Sequence, residues 1–169
     1  LRNNGYELNN YDHVMYLIPY YDKCVWSGKA NVSGPRSYIK RFTQYTINHE
    51  LGHNLGLYHS NKKDCGSQVT NGSDCTVTQY GDVISTMGSS THTNHFNSFH
   101  KEQLGWLDNR IATLTNDGTV TLSVYEESGT IDPKTLKVLK NIDSNGNAEW
   151  YYIEYRQAVG FDAPLGTYY

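Results

Sequence analysis

The feature that most constrains this chain is the segment HELGHNLGLYH, residues 49–59. His49 and His53 are four residues apart, so on a helix both imidazoles lie on one side and can share a metal ion. His59 is too far along the chain to join them from the same straight helix, but Gly56 allows the sharp turn that would bring it back. Three histidines with a fourth position open for water are the ligand set of catalytic zinc.

Glu50 stands beside the first of these histidines and projects about 100° round the helix from it. It is therefore close to the predicted metal without being well placed to ligate it. A carboxylate in that position can take a proton from water at the metal and pass it to a leaving amine, while zinc polarises the scissile carbonyl. We therefore predict Glu50 to be the general base. The alternative, that these are ordinary core histidines, does not explain why three of them fall at ligand spacing around a glutamate and a glycine.

The residues around this motif have the period of an amphipathic helix from about residue 42 to 57. Ile47, Leu51 and Leu55 recur every four residues and predict one apolar stripe. The histidines are offset from that stripe by roughly 200°. We expect the stripe to pack on a core and the opposite face to present the imidazoles.

Several other segments have the alternation or the β-branched and aromatic character of strands. Residues 13–19 predict an internal strand and residues 24–32 a second, more exposed one. Further strands are predicted at residues 37–40, 118–126, 135–142 and 149–157.

A second helix is predicted over residues 96–107, with Asn97 or Ser98 as its N-cap. After this helix, the residue pattern becomes that of strands separated by turns. We therefore predict an α+β fold in two parts. Residues 1–108 would form a domain with a small mixed sheet and two helices, and residues 109–169 a β-rich module that stops before its fold is complete.

The composition excludes some classes of partner. The net charge is −3 and no run of Lys or Arg occurs. The sequence therefore lacks the clustered positive charge that is typical of proteins that bind nucleic acids or anionic membranes. No apolar stretch approaches the ~18 residues that a membrane span needs. Charged residues make up only 18%, which is low for an intracellular domain and favours secretion.

The three cysteines predict at most one disulfide within the chain. Cys65 and Cys75 flank a polar loop, and a bridge between them would hold that loop closed in an oxidising compartment. Two alternatives stay open, in which Cys24 pairs with either of them or with a segment outside this sequence. Cysteine ligation of a metal is disfavoured because no Cys-x-x-Cys is present.

The extended histidine motif resembles the signature of the metzincins, H-E-x-x-H-x-x-G-x-x-H followed by a Met-containing turn. Met87, in YGDVISTMGSS, resembles the methionine that lies beneath the zinc as a hydrophobic floor. Within that clan the chain is most similar to the gametolysin (autolysin) family, from about residue 13 to 165. The motifs that carry this similarity are HELGHNLGLYHS, YGD…MG, HKEQLGWL and YYIEYRQAVGFD.

The resemblance implies a zincin catalytic domain and a secreted endopeptidase acting on extracellular, matrix or cell-wall proteins. The strand, helix and strand that normally begin such a domain are not recognisable here, and residue 1 is Leu. We therefore expect a preceding segment, either a removed propeptide or a missing part of the domain. Ser89 follows Met87 by two residues, so the switchable tyrosine ligand of astacin-like relatives is not available.

If the metzincin layout holds, the strand within residues 24–32 borders the active-site cleft. The free backbone groups of an edge strand can pair with a peptide substrate bound in extended form. The residues concerned are Trp26, Ser27, Gly28, Lys29 and Ala30. An ordinary surface strand is an equal alternative for any one of them.

A calcium site is a weaker hypothesis. Asp64, Asp74 and Asp82 offer oxygen ligands, but their spacing matches no EF-hand loop. For Asp82 we favour an anchor for the local backbone or for a ligand histidine.

The leading functional hypothesis is a zinc-dependent endopeptidase. Two alternatives use the same metal site: a zinc-bearing binding or adhesion module without catalysis, and a zinc amidase that cuts cell-wall amide bonds. The intact Glu50 argues against the first. An assay on protein compared with peptidoglycan would separate the second.

Overall fold

The computed structural model describes residues 5–68, 74–89 and 92–167, which form a mixed α+β protein with three small sheets. The chain divides into two compact units between Thr93 and Asn94. This division lies before the domain boundary that we predict after residue 108. That boundary stays a prediction. Among the described residues, no helix combines the length and the apolar character that crossing a bilayer requires.

The sheet of the first unit has three short strands in the order β1, β3, β2. They are β1 (Val14–Leu17), β2 (Gly28–Ala30) and β3 (Arg36–Ile39). β1 runs parallel to β3, and β2 runs antiparallel to it. Each of the three predicted segments, 13–19, 24–32 and 37–40, thus contains or overlaps a strand, as predicted. The expectation that the first strand is internal is wrong within the described residues, because β3 takes the central place and β1 lies at an edge.

The active-site helix predicted from the histidine motif is α1 (Gln44–Asn54). It begins because the hydroxyl of Thr43 accepts the N–H of Thr46 at 3.2 Å, which satisfies a donor that the first turn leaves free. It ends near Gly56, whose φ of +98° a residue with a side chain rarely adopts. The chain then turns away from the helix axis, as the motif predicts.

The buried face of α1 differs from the predicted one. His49, Glu50 and His53 are 6%, 6% and 7% exposed, whereas Ile47 and the rest of its apolar stripe are only half-buried. The physical reason is that α1 packs on β2 and β3 with the side that carries Thr46 and Glu50. The polar face is therefore the one enclosed by the unit, which is unusual for side chains that would carry charge.

A disulfide-linked hairpin follows the third histidine. β4 (Lys62–Asp64) pairs antiparallel with β5 (Thr76–Thr78), and every residue of both strands is exposed. Cys65 and Cys75 are bonded to each other, which confirms the predicted pairing and leaves Cys24 with a free thiol. Because so little of this hairpin is buried, the disulfide rather than side-chain packing holds its two strands together.

The second unit begins with helix α2 (Ser98–Gln103), where the second helix is predicted. Asn97 is its N-cap, because its side chain accepts the N–H of His100 at 3.0 Å. The helix ends before Gly105, whose φ is +71°. It packs against the last strand of this unit.

The sheet of the second unit has the order β6, β7, β8. Its strands are β6 (Ile111–Leu114), β7 (Thr135–Ile142) and β8 (Ala148–Glu154). β6 is parallel to β7, and β7 and β8 form an antiparallel hairpin whose turn contains Gly146 at φ +84°. The chain continues into a 3₁₀ helix, Gly160–Thr167.

The strand predicted at residues 118–126 is wrong. The N–H of Ser123 donates to the carbonyl of Pro133, whereas the N–H of Tyr125 donates to that of Tyr155. A strand needs successive bonds to one partner, and these bonds go to two different segments. The place beside β7 is taken by β6 instead.

Candidate metal centre

Three histidines converge at the end of α1. His49 and His53 project from the helix, and His59 reaches them after the turn at Gly56. One ring nitrogen from each lies within 4.8 Å of the others, and the Nε2 atoms of His53 and His59 are 3.0 Å apart. No other group of three or more potential ligand residues of this kind occurs in the part of the chain that the structure describes.

The backbone fixes which nitrogen of each helical histidine is free. Nδ1 of His49 is 2.8 Å from the carbonyl oxygen of Thr86, and Nδ1 of His53 is 2.8 Å from that of Leu57. A carbonyl can only accept, so each Nδ1 must carry the proton and donate it. Each Nε2 is then left with its lone pair, which is the tautomer that a metal-ligating histidine needs.

The surroundings also favour the uncharged form of two of these imidazoles, those of His49 and His59. Burial lowers the pKa of His49. Burial, together with neighbouring His53 and His49, lowers the pKa of His59 to about 4. A metal displaces protons from its ligands, so rings that are already neutral bind it with less competition. The donor set, its tautomers and its charge state therefore fit a zinc ion.

Glu50 lies beside the triad, buried against the edge strand. Burial raises the pKa of its carboxyl to about 7. The close packing depends on Gly28, because a Cβ there would lie 2.6 Å from both Cγ and Oε1 of Glu50. Gly28, one of the residues predicted to border the cleft, thus makes room for the glutamate. A carboxyl that titrates near neutral pH is well matched to general-base work.

The segment around Met87 braces the histidines from the other side. Met87 is fully buried, and its carbonyl accepts the N–H of Ser60 at 2.8 Å. The carbonyl of Gly88 accepts the hydroxyl of Tyr45 at 2.6 Å. With the bond from His49 to Thr86, this turn is tied both to α1 and to the segment after His59. The role of Met87 as a floor beneath the metal stays a prediction.

Only a glycine fits after Met87. A Cβ on Gly88 would lie 1.7 Å from the carbonyl oxygen of Asp82. The side chain of Asp82 accepts the N–H of Ile84 at 3.0 Å and so shapes the entry to the turn. Of the two roles expected for Asp82, the structure shows the backbone anchor.

A cavity of about 250 Å³ opens beside the triad. Its lining comes from the start of the edge strand and the two residues before it, from α1 and from the segment after β5: Trp26, Ser27, Gly28, Tyr45, Thr46, His49, Glu50 and Tyr80. Of the predicted edge-strand residues, Trp26, Ser27 and Gly28 thus reach the cavity. Lys29 and Ala30 instead line a separate hollow with Arg36 and Tyr38.

Sequence reasoning missed two aromatic residues of this site. The ring centroid of Tyr80 is 3.7 Å from that of His59, and Tyr45 lies between His49 and the turn at Gly88. The position of Tyr45 one helical turn before His49 is a signal that could have indicated it. Tyr80 has no such spacing, because it arrives from the far side of the disulfide hairpin.

The calcium hypothesis gains no support. Asp64 is engaged by the ammonium of Lys62 at 2.9 Å and by the N–H of Gly66 at 3.1 Å. Asp82 is used within its own turn. Neither belongs to a cluster of three potential ligand residues among the described residues.

Three imidazoles around one point, with a buried carboxyl at their side, define the class of protein: one built around a three-histidine metal site. The chain belongs to the gametolysin peptidase family M11, whose family model matches residues 5–169. Membership of this family implies a metallopeptidase. Neither a curated protein nor a solved structure matched the chain.

Proposed function

We propose that this chain is a secreted zinc endopeptidase that uses His49, His53 and His59 as metal ligands and Glu50 as general base. The observation that carries the proposal is the position of Glu50, which lines the same cavity as His49, beside the three imidazoles that could hold a metal. The family supports a metallopeptidase. The choice of zinc follows from the all-imidazole ligand set.

Zinc, when bound, supplies a Lewis acid that activates water near neutral pH and polarises the scissile carbonyl. The chain itself must then move a proton. Glu50 can accept it from the attacking water and deliver it to the amine that leaves when the peptide bond breaks. Its pKa of about 7 suits both halves of that transfer.

The substrate would be an extended segment of protein. β2 lies at the edge of its sheet, so one row of its backbone groups has no neighbouring strand among the described residues. A peptide can pair with such an edge, and the cavity adjoining Glu50 reaches this strand at Gly28 and the two residues before it, Trp26 and Ser27. The disulfide favours an extracellular setting. The resemblance to the gametolysins implies extracellular, matrix or cell-wall proteins as the substrate class.

The test compares wild type with Glu50→Gln, which keeps the size of the side chain and removes its basicity. Glu149→Gln is the matched control, because Glu149 is an exposed residue paired with Lys140 in the second unit. Casein and gelatin cleavage and zinc content are measured for all three. We expect wild type and the control to cleave, and Glu50→Gln to bind zinc but to lose activity by at least about 10²-fold.

Two results would contradict the proposal. If zinc is bound and no protein is cleaved by the wild type, a binding module or a cell-wall amidase takes its place, and peptidoglycan digestion separates those two. If Glu50→Gln cleaves as fast as wild type, the base is another group.

A further inference from the structure

Tyr80 occupies a position in the site that the proposed mechanism does not yet use. The chain leaves the site after His59, forms the disulfide hairpin and returns at Tyr80. Its ring lies against that of His59, with the centroids 3.7 Å apart and the planes tilted by 37°. It also faces His49, at 6.1 Å between centroids.

The backbone of Tyr80 is held in an uncommon conformation. Its φ is +58°, in the left-handed region that residues with side chains seldom occupy. The N–H of Tyr80 donates to the side chain of Asn61 at 3.1 Å, and the N–H of Gly81 closes the turn on Thr78 at 3.1 Å. Backbone strain of this kind persists where neighbouring structure enforces it, and it is common at functional sites.

The phenol of Tyr80 borders the cavity in which the peptide bond would be cleaved. Tyr80 lines the cavity together with Glu50 and His49, and it is 39% exposed. Within the part of the chain that the structure describes, its hydroxyl makes no hydrogen bond. The other phenol of the cavity, that of Tyr45, already donates to the carbonyl of Gly88. Tyr80 therefore has the free phenol of the pair.

We infer that the Tyr80 hydroxyl donates a hydrogen bond to the carbonyl oxygen of the scissile peptide as water adds to that carbonyl. This inference rests on the proposed endopeptidase function. A tyrosine hydroxyl, with an ordinary pKa of about 10, is protonated at neutral pH and can donate. The phenol keeps its proton throughout, and the transferred proton follows the route through Glu50. Tyr80 thus stabilises the negative charge that develops on the oxygen, which is worth most in the transition state.

The decisive variant is Tyr80→Phe, which keeps the ring on His59 and removes only the hydroxyl. We expect kcat for a peptide substrate to fall by about 10²-fold, with KM within about twofold and zinc content unchanged. A second readout does not depend on turnover. A phosphinic peptide, which mimics the tetrahedral state, should bind zinc-loaded Tyr80→Phe at least about tenfold more weakly than wild type in calorimetry.

The matched control is Tyr58→Phe, because Tyr58 is 69% exposed and lies in the same segment as His59. It should match wild type in kcat and in affinity for the phosphinic peptide. If Tyr80→Phe also matches wild type while Glu50→Gln is inactive, the inference is overturned and the proposed function stands. If wild type cleaves no protein, the proposed function fails first and this inference fails with it.

Discussion

At the scale of single residues, the contact between Gly28 and Glu50 shows how little room the carboxyl of the proposed base has. A methyl group at position 28 would lie 2.6 Å from Cγ of Glu50 and 2.7 Å from Cγ2 of Thr46, and both belong to the helix. Gly28→Ala must therefore push the strand from α1 or turn the carboxyl away. We expect it to lower the free energy of unfolding by about 1–3 kcal/mol and to reduce proteolysis more than tenfold.

Gly166→Ala is the control for that substitution. A Cβ at position 166 meets only the Cβ of Ala158, at an ordinary 3.5 Å, so the added methyl group has room. Urea unfolding and casein cleavage are measured on both variants. Equal stability and activity of Gly28→Ala and wild type would show that the strand and α1 are not packed as closely as described.

The imidazole of His59 makes stability depend on pH. Its pKa is about 4 in the folded protein, below the ordinary value of 6.5, so between these values the unfolded chain holds a proton that the folded chain does not. Acid therefore favours unfolding in that window. In metal-free protein, wild type should lose stability relative to His59→Gln as the pH falls from about 7 to about 5. Urea unfolding in the presence of a chelator measures this difference, and a difference that stays constant with pH would refute the expectation.

Much of the site could be predicted because its residues are neighbours in sequence. The period of a helix brings His49 and His53 together, and the glycine turn returns His59. Tyr80 could not be predicted in the same way. Its contact with His59 depends on where a hairpin closed by Cys65 and Cys75 re-enters the site, and no local spacing encodes that return.

At the scale of elements, the hairpin of β4 and β5 depends on its disulfide. All six strand residues are exposed, so little apolar burial opposes the entropy of this loop. The chain-entropy estimate for a bridge between residues 10 apart is about 2–3 kcal/mol. We expect Cys65→Ser/Cys75→Ser to lose that much stability in the hairpin and to exchange its strand amides faster. Cys24→Ser, which removes a free thiol, should leave both unchanged.

Two wrong predictions, the strand at residues 118–126 and the buried face of α1, have a common physical cause. Residues 118–126 alternate well enough for a strand, but their N–H groups bond to two different segments, and β6 pairs with β7 instead. Similarly, the apolar stripe of α1 is less buried than its polar face because β2 and β3 pack on the side of Glu50. Periodicity predicts that an element exists, whereas its partner and its covered face are decided by the rest of the fold.

At the scale of the whole molecule, the metal should stabilise one compact unit and not the other. All three histidines precede the division at Thr93. An ion that binds only the folded form adds about 4 kcal/mol at a thousand times its dissociation constant. Removing it should therefore accelerate amide exchange where the site is braced, above all at Ser60, which donates to Met87, and at Leu57, which donates to Gly52.

The paired amides of β7 and β8 give the internal comparison, because their hydrogen bonds lie wholly within the second unit. We expect chelation to raise exchange at Ser60 and Leu57 by more than about tenfold and to leave the β7–β8 amides within about twofold. Hydrogen exchange by mass spectrometry or NMR, with and without chelator, measures both sets at once. Equal acceleration of both sets would mean that the units open as one cooperative body, so that the second unit carries part of the stability of the metal site.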